Sequence, residues 1–171
     1  MTNLLNKPII RYGVIFSLIP MISTYLIGHL FKLLFSDTVE SAAVMPADDP
    51  ERMFFPQVDY IFPFAILCGV LAFCIWVTFM KKKPSQIKGA IAGLTTVFLA
   101  YPTIGFAAGL IYPDPISSHM FSAIDSSVGL ALFGNFFTFW ITYPLGAICG
   151  FIIAERMFKH IKSTVTPTVF E

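Results

Sequence analysis

Charged residues are scarce in this sequence, and no carboxylate lies at the centre of any of its apolar runs. Charged residues make up 12% of the 171 residues, whereas 56% are hydrophobic, and the mean hydropathy is +0.77. A soluble domain carries about a quarter charged residues. The apolar residues form long uninterrupted runs, which indicate membrane-spanning helices rather than the core of a soluble domain.

Cysteines are also few and are poorly placed for chemistry. Cys68, Cys74 and Cys149 all lie inside apolar runs, and no two of them form a C-x-x-C pair. Disulfides and thiol exchange both need accessible, apposed thiols. A disulfide-forming quinone reductase is therefore excluded, and we interpret the three cysteines as small packing residues.

Motifs for catalysis and for metal or cofactor binding are missing as well. The acidic residues between positions 48 and 51 lack the ligand spacing of a calcium loop. His119 and Asp125 are six residues apart and would not share one face of a helix. Asp114 and Asp125 are loosely placed for a lipoprotein signal peptidase, but its asparagine-containing motifs are absent. No catalytic residue, cofactor or metal site is predicted, and a net charge of +1 gives no reason to expect nucleic acid.

Four apolar runs are present, and each is long enough to cross a bilayer. About 20 residues span the roughly 30 Å of hydrocarbon, and the first run exceeds the roughly 7–15-residue core of a signal peptide. The sequence therefore predicts an all-α membrane protein of one domain, 1–171. Its transmembrane helices are expected at about 12–35, 58–80, 87–112 and 127–154, with outer loops at 36–57 and 113–126 and a turn at 81–86.

The basic turn at 81–88 divides the chain into two helical hairpins and orients them. Lys and Arg are enriched in cytoplasmic loops of membrane proteins. If the helices alternate in direction, only Lys32 and Arg52 lie on the side opposite the turn. Both termini are therefore predicted to be cytoplasmic, in the inner (plasma) membrane of a bacterial cell. The residues on the side of the turn are Lys7, Arg11, Lys81, Lys82, Lys83, Lys88, Arg156, Lys159 and Lys162.

Small and hydroxylated residues recur on one face of the third and fourth runs. Such residues mark the contact surfaces of membrane helices, so we expect these two helices to pack together, although a polar path between them is an alternative. A weak repeat of tyrosine followed by proline, at 101–102 and 143–144, would suit the broken helices of transporters. The candidate interface residues are Gly89, Gly93, Thr96, Thr103, Asn135, Thr138, Thr142, Gly146 and Gly150.

Three polar residues inside the runs have either a structural or a functional interpretation. Asn135 is the most deeply placed polar residue and is expected to hydrogen-bond a neighbouring helix, for example at Thr96 or Thr103. His29 and Lys32 form a titratable pair near the outer end of the first run. Ionisable groups in a membrane are functional candidates, but Lys can also extend its side chain to the interface.

These exclusions predict a small multi-pass protein that binds another membrane protein or itself within the lipid bilayer. It would act as an accessory subunit, an assembly factor or an inhibitor, and not as an enzyme. Four helices with inward termini resemble, in architecture, the immunity proteins that block pore-forming colicins. The alternative is a small transporter or channel with a polar path along the third and fourth helices.

Overall fold

A computed structural model describes residues 2–34, 61–81, 84–111 and 119–165 of the chain, and the regular structure within these ranges is entirely helical. Four of the helices are long and apolar enough to cross a membrane, which confirms the predicted fold class. The two-hairpin arrangement, the cytoplasmic termini and the single domain stay predictions. The helices are α1 (Thr2–Leu34), α2 (Ile61–Lys81), α3 (Gln86–Ile111), α4 (His119–Gly129), a π-helical segment (Leu130–Gly134) and α5 (Asn135–Val165).

The helix of the first apolar run begins well before the predicted position 12. It starts at Thr2 and continues through Pro8. The prediction followed the apolar run, which begins near position 12, but Ile9 is also buried, with only 4% of its surface exposed. Packing of an apolar face supplies most helical stability in proteins, and burial of Ile9 accounts for a helix that the local composition does not predict.

The start of α3 follows the ordinary chemistry of a helix cap. The backbone N–H of Lys88 donates to Ser85 Oγ at 3.2 Å, and the N–H of Gly89 donates to the Ser85 carbonyl at 3.1 Å. Serine at this position satisfies an N–H group that has no partner within the helix. The predicted turn at 81–86 therefore ends one residue earlier than expected, at Ser85, because α3 begins at Gln86.

The segment before the fourth span differs from the prediction. The sequence indicates a loop over 113–126, but α4 already begins at His119 and leads through the π-helical segment into α5. In the structure, Ser122 and Ala123 are buried, so this stretch has an apolar, small-residue face that stabilises a helix.

The chain divides into two compact units. Unit 1 contains residues 1–19, 69–98 and 138–171, and its core includes Trp76, Met80 and Met157, which are fully buried. Unit 2 contains residues 20–68 and 99–137, and its core includes the buried Cys68. The three cysteines are free thiols.

Candidate helix interfaces and polar residues

Unit 1 contains an antiparallel contact between two glycine pairs. Gly89 and Gly93 of α3 lie against Gly150 and Gly146 of α5, respectively, and a Cβ at any of the four would overlap backbone of the opposite helix. At Gly146, an added Cβ would lie 2.9 Å from the Gly93 carbonyl oxygen and 2.7 Å from Val97 Cγ2. The two backbones therefore touch directly, as small residues allow in membrane helices.

Unit 2 has an equivalent contact that the sequence reasoning missed. Gly105 and Gly109 of α3 lie against α4, where an added Cβ would meet the backbone of Ser126 and of Ala123, respectively. Gly105 and Gly109 are four positions apart, a spacing typical of close approach between membrane helices, and no partner was predicted for them. The signal for that partner was present, because Ser122 and Ser126 are small residues four positions apart and would share a face if this stretch were helical.

The threonines that the sequence analysis selected hydrogen-bond within their own helices. Such bonding to the carbonyl four residues earlier satisfies a hydroxyl without a second helix. Thr142 also approaches Thr138 Oγ1, at 3.2 Å. The bonds run from Thr96 to the Ala92 carbonyl at 2.8 Å, from Thr103 to that of Leu99 at 2.6 Å, and from Thr142 to that of Thr138 at 2.9 Å.

Asn135 lies at the junction between the π-helical segment and α5, where it is half-buried. Its side-chain nitrogen donates to the Ala131 carbonyl at 2.8 Å, and its backbone N–H donates to the Leu132 carbonyl. The sequence predicted a bond to another helix, at Thr96 or Thr103, whereas this bond is local. A π-turn misaligns carbonyl groups, and Asn135 provides a donor at that point.

Of the titratable pair predicted on α1, the structure describes the surroundings of His29. The His29 ring meets the Tyr25 ring edge-on, with 4.4 Å between their centroids, one turn apart on α1. Lys32 follows in the same helix. The acidic residues at 37–51 and Asp114 lie outside the described residues. Among the residues that are described, no group of three His, Cys, Asp or Glu side chains could hold a metal ion.

Trp76 forms a contact that the sequence analysis did not anticipate. Its side chain is fully buried, and its Nε1 donates to the Ile9 carbonyl at 3.1 Å. The Phe16 ring lies 4.9 Å away, and a Cβ on Gly13 would come within 2.9 Å of the indole. An indole N–H inside an apolar span needs an acceptor, so the presence of tryptophan was itself a weak signal for this contact.

Large apolar side chains are exposed around the π-helical segment and along α5. In unit 2, Phe133 and Phe136 have 66% and 76% of their surface exposed; in unit 1, Trp140 and Ile141 have 81% and 68% exposed. Unit 1 also has an open groove of about 540 Å³ that is almost entirely apolar. It is lined by Leu94, Phe139, Trp140, Tyr143, Pro144 and Ala147.

Comparisons with known proteins found no relative of this chain. No protein-family model, no curated protein and no solved structure matches the chain. The arrangement of its own residues therefore carries the functional argument. It provides close helix contacts, hydroxyl groups bonded within their own helices, and a broad apolar surface.

Proposed function

We propose that this chain is a small multi-pass membrane protein that acts by binding another membrane protein, as an accessory subunit, an assembly factor or an inhibitor. The observation that supports this proposal most is that the small-residue faces of α3 and α5 already pack against helices of the same chain. Gly93 meets Gly146, and Thr96 and Thr142 bond their own helices. The surface left for function is apolar and aromatic, and aromatic side chains dominate the energy of protein interfaces.

We infer that the aromatic surface beside the groove, around Trp140, is the docking face. Trp140 is the most exposed of the large apolar residues described, and it lines the groove together with Phe139 and Tyr143. An exposed aromatic side chain beside a concave surface can be buried by a partner, and such aromatic anchors are typical of binding hot spots. The partner's contribution is expected to be an apolar helix face, because the groove offers almost no polar group.

Site-specific photo-crosslinking in intact cells tests this proposal. A photoreactive phenylalanine derivative at position 140 is expected to give one discrete protein adduct. The same probe at Phe62, which is also exposed and apolar, serves as the matched control and is expected to give only lipid adducts. Lipid adducts alone at both positions would show that position 140 faces the bilayer and would contradict the proposed docking face.

The outer loop is the second proposed contact. Its acidic residues at 37–51 lie outside the described part of the chain, so the proposal rests on their charge and on the length of the loop. Exchange of residues 37–55 for a neutral linker of equal length is expected to weaken copurification of the crosslinked partner. Undiminished recovery would restrict the contact to the helices.

The alternative function is a small transporter or channel. Pro102 and Pro144 lie inside α3 and α5, and a π-helical segment precedes α5. The hydroxyl of Ser127 donates to the Pro102 carbonyl at 2.9 Å. Broken helices line solute sites in transporters, so solute flux in proteoliposomes that is lost with Asn135→Leu would favour this function.

A further inference from the structure

The described Lys and Arg residues of unit 1 concentrate near helix ends. There are seven, against a single acidic residue, Glu155. In the described part of unit 2, by contrast, Lys32 is the single Lys or Arg residue. We call the seven residues the cationic end: Lys7, Arg11, Lys81, Lys88, Arg156, Lys159 and Lys162.

Contacts within unit 1 bring these helix ends together. The start of α1 meets the end of α5, because the Tyr12 hydroxyl donates to the Arg156 carbonyl at 3.3 Å. The rings of Tyr12 and His160 are 6.3 Å apart. The start of α3 meets the same part of α5, because Gly89 lies against Ala154. The positive charges of three helices therefore lie at one end of this unit.

Basic residues outnumber acidic ones among the described residues of unit 1. Glu155, the one acidic residue described there, forms an ion pair with Lys159 at 2.6 Å. Lys7 and Arg11 lie one turn apart on α1, and both are exposed, as is Arg156 on α5. Like charges at such short spacing repel one another, so a bound anion would stabilise this arrangement.

An apolar surface lies next to the cationic end and suits the acyl chains of a lipid. Ile10 and Val14 follow the basic residues on α1 and have 51% and 47% of their surface exposed. Tyr12 lies between them, and tyrosine is enriched at the headgroup level of membranes. Basic clusters beside membrane helices recognise anionic lipid headgroups.

We propose that the cationic end binds the phosphate headgroups of anionic phospholipids, with their acyl chains against Ile10 and Val14. The site is held between α1 and α5, where Arg11 and Arg156 flank the Tyr12 contact. Arginine suits this role because its guanidinium can donate two hydrogen bonds to one phosphate. The proposal requires membrane insertion but does not depend on the proposed protein partner.

Thermal unfolding of the full chain in a neutral detergent tests the proposal. Phosphatidylglycerol is expected to raise the Tm, whereas equal amounts of phosphatidylcholine are not, and the difference should shrink as salt rises. Inorganic phosphate at the same concentration distinguishes a free anion from a lipid. An equal Tm rise with both lipids, or a rise with phosphate alone, would overturn the proposal.

A variant in which four basic side chains are replaced by neutral ones makes the test specific. Lys7→Gln, Arg11→Gln, Arg156→Gln and Lys159→Gln together are expected to weaken phosphatidylglycerol binding at least tenfold. The matched control, Lys32→Gln, should leave binding unchanged. If the fourfold variant loses helical circular dichroism, the pairs Lys7/Arg11 and Arg156/Lys159 are changed separately, and each should weaken binding severalfold. Full lipid selectivity in a folded variant would contradict the proposal, as would a Tm rise produced only by an acidic peptide.

Discussion

Gly93 and Gly146 face each other so closely that neither position has room for a Cβ. The added atom on Gly93 would overlap the Gly146 carbonyl, and one on Gly146 would lie 2.9 Å from the Gly93 carbonyl oxygen. The relationship is reciprocal and backbone to backbone, so no side-chain rotation can relieve a substitution. In lipid, where packing rather than water exclusion joins helices, this contact sets how closely α3 and α5 approach in unit 1.

Replacing either glycine tests this contact. Gly93→Ile or Gly146→Ile is expected to lower the free energy of unfolding by at least about 1–3 kcal/mol, the range typical of overpacking, because the backbone must move. Ile91→Leu is the control, since Ile91 is on α3 with 41% of its surface exposed; it should change stability little. Thermal unfolding in detergent measures all three. Equal losses of stability from the changes at positions 91 and 93 would show that the glycine contact does not hold α3 and α5 together.

The two tryptophans form a matched pair for a second prediction. Trp76→Phe removes the buried indole N–H that donates to the Ile9 carbonyl, and loss of one such hydrogen bond costs about 0.5–1.5 kcal/mol. Trp140→Phe makes the same chemical change at an exposed site and should alter stability by about 0.5 kcal/mol at most. Chemical or thermal denaturation in detergent compares them. The opposite order would contradict the burial of Trp76.

The polar residues provide a test that separates binding from transport. We expect His29→Ala combined with Asn135→Leu to preserve membrane insertion and recovery of the crosslinked partner, because a binding surface distributes its energy over packed side chains. The missing Asn135 hydrogen bond should cost about 1 kcal/mol. Copurification and circular dichroism are the measurements. Loss of the biological effect in a folded variant that still holds its partner would favour the polar-path alternative.

The orientation of the chain is a separate prediction. A reporter that works only outside the cytoplasm should be active when fused near Asp48 or Ser118. The same reporter should be inactive at Ser85 and at the C-terminus, because the basic segments are retained in the cytoplasm. The reverse activity pattern would overturn the predicted orientation, and with it the proposed outer position of the acidic loop.

Local composition was sufficient to predict the number and approximate place of the spanning helices. A run of about 20 apolar residues is stable in hydrocarbon only when its backbone groups bond one another, so span and helix coincide for α2 and α3. The small-residue pattern also singled out Gly93 and Gly146 as interface candidates. The pattern predicted that the third and fourth spanning helices pack together, but it did not pair individual glycines, because periodicity defines a face and not its register against the other helix.

Tertiary packing decided the features that composition misread. The early start of α1 accompanies the burial of Ile9 and its contact with Trp76, which lies 67 residues away in sequence. The helix that begins at His119 packs Ser122 and Ala123 against Gly109. Each of these segments is too polar to be predicted as part of a spanning helix from its own residues. Each is helical in the structure, where it packs against an aromatic or small residue that is distant in the sequence.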